Sequence, residues 1–539
     1  MELSLYIDRN NKVSLIRCLL VVCTVLGLMQ SAAAKEICLK NRIDGEEFHG
    51  DLLSFTGTQW NLDTKYGRMQ LNIDRFCVCG DCKASGPIPD KIVEIKKQLR
   101  LRQSPKKELR IAGSNTMGAE IVPNLIEQLL KEKDGKTPKV DSENQDTRVI
   151  EGDEYIVHIE AKGSSTGFQA LQEDTAELAM SSRPIKAEEI AALEKAGVSG
   201  MRNPGREVVL ALDGVVPIVA KNNKLKTISL LELKQIFSGS IVNWSELGLD
   251  EGLISVHARN AVSGTFDTFK TLVLETHGLD LVKSAKRYAS DSELAKAVSQ
   301  DPNAIGFVAV GALSKVQSDI RALKLKGACG IVQKPDIFTI KTEDYVLSRR
   351  LLLYSTTSNR IGLTRQFIDF ALLDEAQRYI VDAGFISQSV KVLDNNTHIQ
   401  RLRDIQARAE TPEIAQIAEK VNGFLLDAKR LSITFRFNTR AKTLDNKSLE
   451  DVTRLARYIQ TSAPQSKLLL VGFADGVGSF SSNMILSQQR AEQAEILMRE
   501  NGIPAENITT IGLGELLPTF CNTTEIGRAR NRRVEVWLR

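Results

Sequence analysis

Four short loops of small, hydroxylated residues carry the first chemistry visible in this chain. They are Gly113-Ser114-Asn115-Thr116, Gly163-Ser164-Ser165-Thr166-Gly167, Ser181-Ser182-Arg183-Pro184, and Arg259 with Ser263-Gly264-Thr265. At least three of them lead into a stretch patterned as a helix. A helix start presents free N–H groups and a partial positive charge, and Ser or Thr hydroxyls add donors in the same place. Several such starts facing one cleft would form a cage for an oxyanion, to which Arg259 would add a bidentate, charge-assisted partner. A single Ser or Thr before a helix is ordinarily no more than a cap. Four such loops in one block, three of them with glycine, favour a site, although spacing alone leaves caps and cage both open.

A second constellation lies near the C-terminal end. Asp475 sits in the glycine-rich loop of Gly472-Phe473-Ala474-Asp475-Gly476-Val477-Gly478, just after an expected strand. Asn483, Ser487 and Arg490 occupy the first turns of the helix that follows. A carboxylate and a guanidinium brought together there would clamp a zwitterionic amino acid, Asp475 on its ammonium and Arg490 on its carboxylate. The plainer alternative is a turn residue and a solvated helix charge.

Catalytic groups are not evident. The five histidines are scattered, and only His257 falls near the first set of loops, where it reads as a strand residue. No Ser-His-Asp or metal constellation accompanies it, so a phosphatase reading has nothing to carry it, and no cofactor is expected. A structural or adhesion protein with a vestigial ligand site is the other alternative to a binding protein.

The elements that must position these residues fall into blocks. From Leu109 to about Val392, short apolar strands such as Val208–Leu212 alternate with helical stretches such as Ile121–Lys131, which predicts a two-lobed α/β domain. The domain is placed at 108–392. Residues 430–539 read as strand, helix, strand, helix, strand, a βαβαβ order, with Asp394–Lys429 as a helical connector (393–429). Residues 35–83 alternate polar and apolar positions between glycines, which suggests a small Cys-rich all-β module. A Pro/Lys-rich linker (84–107) follows it.

Bulk properties agree with a multidomain, globular chain. It has 539 residues, 42% hydrophobic and 26% charged, with a formal charge of +4. That length favours three or more domains, and the near balance of charge gives no sign of a nucleic-acid partner. Lys12 and Arg17 precede an apolar run from Cys18 to Met29 and an Ala32-Ala33-Ala34 site, the pattern of a cleaved signal peptide (1–34). An uncleaved anchor is the alternative. Of the eight cysteines, Cys38, Cys77, Cys79, Cys82, Cys329 and Cys521 remain after cleavage. An exported context favours disulfides over zinc for the first four, without deciding their connectivity. Cys329 and Cys521, far apart in sequence, are expected to be buried free thiols.

Residues 109–390 resemble the periplasmic substrate-binding proteins of phosphate ABC importers. The resemblance rests on LRIAGSNTM, AKGSSTGFQAL, AELAMSSRPI, DGVVPIVA, LLELKQIFSGSIVNW, RNAVSGTFDTF and DPNAIGFVAVGAL, in that order. It implies two α/β lobes closing on a dehydrated tetrahedral anion. The implied ligands are Asn115, Thr116, Met117 (through its backbone), Ser165, Ser182, Arg259, Ser263, Gly264 and Thr265, with the lobes meeting near Leu212–Gly214 and again after about Gly327. Phosphate-specific members carry an Asp where this chain has Ser182, so weakened selectivity over sulfate is expected. An ABC importer or another envelope protein is an implied partner.

Residues 431–539 resemble the OmpA-like C-terminal domain, through ITFRFN, the N-x-x-L-S-x-x-R-A helix, Ile511–Glu515 and GRARNRRVEV. This implies peptidoglycan binding through diaminopimelate by Asp475 and Arg490, with Asn483 and Arg532 as further candidates. The family's Thr before the Asp is Ala474 here. Together the two resemblances imply a periplasmic protein of a Gram-negative cell envelope, attached to peptidoglycan and associated with the outer membrane.

Overall fold

A computed structural model describes residues 36–41, 47–55, 59–64, 67–72, 76–79, 106–144, 146–275, 278–316, 319–356, 362–393, 412–425, 427–437 and 443–539. The expected signal peptide, Cys82, nearly all of the expected linker and the first part of the expected connector lie outside them. The chain divides into two units, Met1–Lys106 and Lys107–Arg539.

In the first unit, strands β1 (Glu36–Asn41), β2 (Glu47–Phe55), β3 (Gln59–Thr64), β4 (Gly67–Asn72) and β5 (Phe76–Val78) form one sheet in the order β4-β3-β2-β1-β5. Period-two alternation brings Leu39, Trp60, Leu62 and Leu71 together as its core. Antiparallel pairing of β1 with β5 sets Cys38 beside Cys79, and the two form a disulfide.

The second unit is built on an 11-stranded sheet. Its first strands are β6 (Lys107–Gly113), β7 (Lys139–Asn144), β8 (Thr147–Glu151), β9 (Tyr155–Glu160), β10 (Leu178–Ser181) and β11 (Glu207–Ala220). A short β12 (Thr227–Ile228) lies outside this sheet. Then come β13 (Ser255–Arg259), β14 (Lys286–Tyr288), β15 (Ala304–Ala309) and β16 (Ile320–Ala322). Strands β17 (Lys324–Lys326) and β18 (Val332–Gln333) pair with β12 in a small sheet, and β19 (Ser348–Ser355) returns to the large one.

Strand β11 links the two lobes. Its sequence is apolar on both sides of Asp213-Gly214 rather than alternating, and every residue after Glu207 is buried, as expected of a strand covered on both faces. It pairs with β19 from Glu207 to Gly214 and with β15 from Val215 to Val219. The partner changes between Gly214 and Val215, and the chain crosses back where β19 begins at Ser348. Two cores pack against these strands. One gathers Ile111, Leu125, Val157, Leu351 and Phe367 in the first lobe, and the other runs across the change, from Phe168, Val209 and Tyr354 to Val216, Phe237, Phe269 and Phe307. In the second, Phe269 stacks on Phe307 with ring centres 4.0 Å apart. Each such buried side chain contributes about 1.5–3 kcal/mol.

The C-terminal domain adds β20 (Lys429–Arg436), β21 (Leu468–Phe473), β22 (Ile508–Gly512) and β23 (Arg533–Leu538), in the order β20-β23-β21-β22. Helices Asn446–Ser462 and Phe480–Glu500 cover one face of this sheet. The expected βαβαβ order is present with one strand and one short helix (Glu525–Asn531) more. Ile508–Gly512 pairs in parallel with β21, where β-branched Ile and Thr suit an edge strand. Helix Pro412–Leu425, from the connector, places Ile417 and Leu425 against Leu469, Val471 and Trp537 on the other face.

One expectation is corrected. Cys329 and Cys521 are not free thiols but a disulfide, with their Cα atoms 5.6 Å apart. The turn between β17 and β18 meets the loop before helix Glu525–Asn531, a proximity that a separation of 192 residues conceals. Among the described residues, no helix is long and apolar enough to cross a membrane.

Candidate functional site

Loops from both lobes converge where β11 and β19 cross. After β6, Gly113 has φ +132°, and a Cβ there would lie 2.1 Å from Met180 O, so only glycine lets the first loop turn across β10. Asn115, Thr116 and Met117 follow in the helical turn Asn115–Gly118, with Thr116 and Met117 buried. Ser164 and Ser165 open helix Ser164–Gln172, and Ser182 follows β10. Ser164 Oγ accepts the Ser182 N–H at 3.1 Å and lies 3.2 Å from Ser182 Oγ, which ties two of the loops together. From the other lobe, Ser263 caps helix Gly264–Phe269. A Cβ on Gly264 would stand 3.0 Å from Thr116 Oγ1, so the lobes touch at this point.

The polar centre holds two residues that the sequence did not single out. Arg349, buried at the start of β19, donates to Thr116 Oγ1 (3.0 Å), Asp267 Oδ2 (2.9 Å) and Gly264 O (3.2 Å). Its Nε donates to the buried Asp213 at 3.2 Å, and Thr268 Oγ1 donates to the same oxygen at 2.7 Å. Asp267 Oδ2 also accepts from Ser182 Oγ at 3.2 Å and lies 3.5 Å from Thr116 Oγ1. Such charge-assisted bonds are the stronger kind; the Arg349–Asp213 pair joins register partners on β19 and β11, whereas the bond of Ser182 to Asp267 runs from one lobe to the other. Asp267 lies within the quoted RNAVSGTFDTF stretch, three residues after Gly264 on the same helical face, and this spacing was the available signal. Arg349 had a weaker one, a pair of arginines (Arg349 and Arg350) just ahead of an apolar run.

Other expected ligands are placed as follows. Arg259 uses both terminal nitrogens within the protein, on Asp291 Oδ1 (2.7 Å) and Ala289 O (2.8 Å). Its two terminal nitrogens are thus divided between Asp291 and a backbone carbonyl, and its buried Nε lacks a partner among the described residues. Burial pushes the Asp291 carboxyl up, against the pull of Arg259. Ser165 is exposed and accepts from Arg183 Nη2 at 2.9 Å. Ser263 and Thr265 are half-buried in the second-lobe loop. His257 has both ring nitrogens engaged, by Ser255 Oγ (3.0 Å) and Tyr288 Oη (2.9 Å). Burial lowers its pKa, which agrees with its reading as a strand residue.

In the C-terminal domain, Asp475, Arg490 and Arg532 come together at the C-terminal end of β21. Arg532 Nη1 pairs with Asp475 Oδ2 at 2.7 Å, and its Nη2 with Glu525 at 2.8 Å. Arg490, on helix Phe480–Glu500, donates to Phe473 O at 3.1 Å and lies over the Phe437 ring. Burial, with Arg532 close by, pulls its pKa down, while Asp475 pulls it up. Asn483 is buried and donates to Glu515 at 2.5 Å. Asp475 thus already has a cationic partner in Arg532.

Comparison with known proteins follows this division of the chain. Residues 103–375 match the family model of the PBP superfamily domain, and residues 435–532 match that of the OmpA family. The chain belongs to the PBP superfamily and carries an OmpA family domain at its C-terminal end. It is similar to the phosphate-binding protein PstS of Staphylococcus epidermidis, 28% identical over 236 residues, which are 42% of this chain and 69% of that protein. Among solved structures, it is similar to an ABC-type phosphate transport receptor from Vibrio cholerae (24% identity, TM-score 0.40, 52% of this chain and 99% of that one). The peptidoglycan-associated lipoprotein from Burkholderia pseudomallei is similar at 24% identity and TM-score 0.19, over 20% of this chain and 89% of that one.

Proposed function

We propose that this protein is a solute receptor of the periplasm held to the cell wall. Its two-lobed domain takes phosphate or a closely related tetrahedral oxyanion, and its C-terminal domain takes the diaminopimelate of peptidoglycan. The observation that carries the first half is the meeting of Thr116 and Ser182 from one lobe with the Gly264–Asp267 turn from the other, around a buried Arg349. Neutral hydroxyls and amides predominate among the donors, and they suit a dehydrated anion that must be bound and released. The role is binding rather than catalysis, because the one histidine near the site is committed to its strand neighbours. The named function of the staphylococcal relative agrees with this reading.

For the second half, Arg490 and Asp475 stand at one end of the C-terminal sheet, where a zwitterionic ligand would meet both charges. An ABC importer is the natural recipient of the anion. A wall tether limits diffusion to the membrane, so sensing is an equal use of the same site. Calorimetry with purified full-length protein and inorganic phosphate tests the receptor role. One saturable site is expected, and absence of any heat of binding across millimolar phosphate sinks it.

A further inference from the structure

The expectation of weakened selectivity over sulfate rested on Ser182 standing where phosphate-specific relatives carry a carboxylate. The fold brings a carboxylate to the same place from the opposite lobe. Asp267 Oδ2 lies 3.2 Å from Ser182 Oγ and 2.9 Å from Arg349 Nη1. Those two donors, with Thr116 Oγ1 at 3.5 Å, fix one carboxylate oxygen. No described residue donates to the other oxygen, Oδ1, and the side chain keeps 47% of its exposure. One oxygen is anchored, and the other stays available to a ligand.

We infer that Asp267 determines which tetrahedral anion this site accepts, by taking a hydrogen bond from the hydroxyl of a protonated oxyanion. The inference rests on the receptor reading above and deepens it. Hydrogen phosphate keeps one O–H at neutral pH and donates it to Oδ1. Sulfate has no proton there, so it sets oxygen lone pairs against a carboxylate. Arg349 is shared between Asp213 and Asp267, and Arg259 is held by Asp291, so two guanidinium groups face three carboxylates. Hydrogen phosphate and sulfate carry the same double charge and meet the same field, so the O–H is what separates them. Arg349 holds the Asp267 carboxylate in place and leaves the discrimination to it.

The test is competition calorimetry on the full chain with inorganic phosphate and inorganic sulfate. Wild type is expected to prefer phosphate by on the order of 100-fold or more, the scale at which a site built for a donor rejects an analogue lacking it. Asp267→Asn, checked for an unchanged melting temperature, should lower that ratio to within about 10-fold by admitting sulfate. Adding Ser182→Asp to Asp267→Asn returns a carboxylate from the other lobe and should restore the preference. That restoration guards against a variant that merely loosens the cleft. An Asp267→Asn protein with an undiminished phosphate preference overturns the inference while leaving the receptor role intact. Tighter binding of both anions by this variant also overturns it, because Asp267 would then be an internal competitor. A wild type that binds neither anion overturns both readings.

Discussion

Cys329 of the second lobe and Cys521 of the C-terminal domain are joined by a disulfide. Around it, Gln333 Nε2 donates to Thr519 O at 2.9 Å. On the first lobe, Arg350 pairs with Asp445 at 2.7 Å, and Asn446 donates to Arg202 O and Glu207. The OmpA family domain therefore touches both lobes of the binding domain. Replacing both cysteines by serine should lower the unfolding free energy by about 2–5 kcal/mol, the usual effect of losing a bridge that closes a long loop. Denaturation of the purified variant beside wild type reads this directly, and an unchanged midpoint would show that the bridge adds no stability.

The same seam buries charge. Burial pushes the Glu343 carboxyl up, but Arg350, Arg530 and Arg436 together outweigh it and hold the group well below the usual carboxylate range. Glu343 bonds Arg350 Nε at 2.8 Å and Arg530 at 3.0 Å, from a backbone with φ 55° that non-glycine residues rarely adopt. Glu343→Gln leaves three guanidinium groups short of a counter-charge and should cost about 3–5 kcal/mol. Thermal melting beside an Arg365→Ala surface control (an exposed ion-pair partner) separates this from a general loss of charge.

A pH dependence follows from Glu450. Its Oε2 is shielded from water and has no hydrogen-bond partner among the described residues, and burial pushes its pKa up from 4.5 to about 8. Between these values the folded state holds a proton that the unfolded state has released. The contribution of Glu450 is therefore greatest below pH 4.5 and declines as pH rises toward 8. Glu450→Gln should remove this slope, so the gap in melting temperature between variant and wild type widens from pH 5 to pH 8. A constant gap would contradict the assignment.

Thr116→Val keeps the shape of the first-lobe loop but removes the oxygen that accepts from Arg349. The buried Nη2 then loses a partner across the cleft. Phosphate affinity should fall by about 10-fold or more, with little change in melting temperature. Calorimetry distinguishes this from an unaltered site.

Arg490→Ala should abolish co-sedimentation with purified sacculi. Arg532→Ala should weaken it less, because it also frees Asp475 from its 2.7 Å pair. Equal pull-down by all three proteins would remove the basis for peptidoglycan binding at this place.

Much of the fold was legible because its signals are local. The apolar runs of β11 on either side of Asp213 mark a strand covered on both faces, and the Ser and Gly loops mark chain turns into helices. Asp267 was half-legible, since it lies in a stretch already quoted, yet nothing local says that its carboxylate reaches Ser182, 85 residues earlier. Arg259 shows the reverse case. Its type suits an anion, yet nothing local says that Nη1 meets Asp291, 32 residues on.

The amino-acid order alone determined which residues could donate, cap or turn, because those properties depend on a few neighbouring positions. Tertiary structure decided which of them meet. Arg349 reaches Thr116 across 233 residues, and Cys329 reaches Cys521 across 192. The physical reason is that a strand crossing between two lobes makes neighbours of loops whose separation along the chain carries no trace of it.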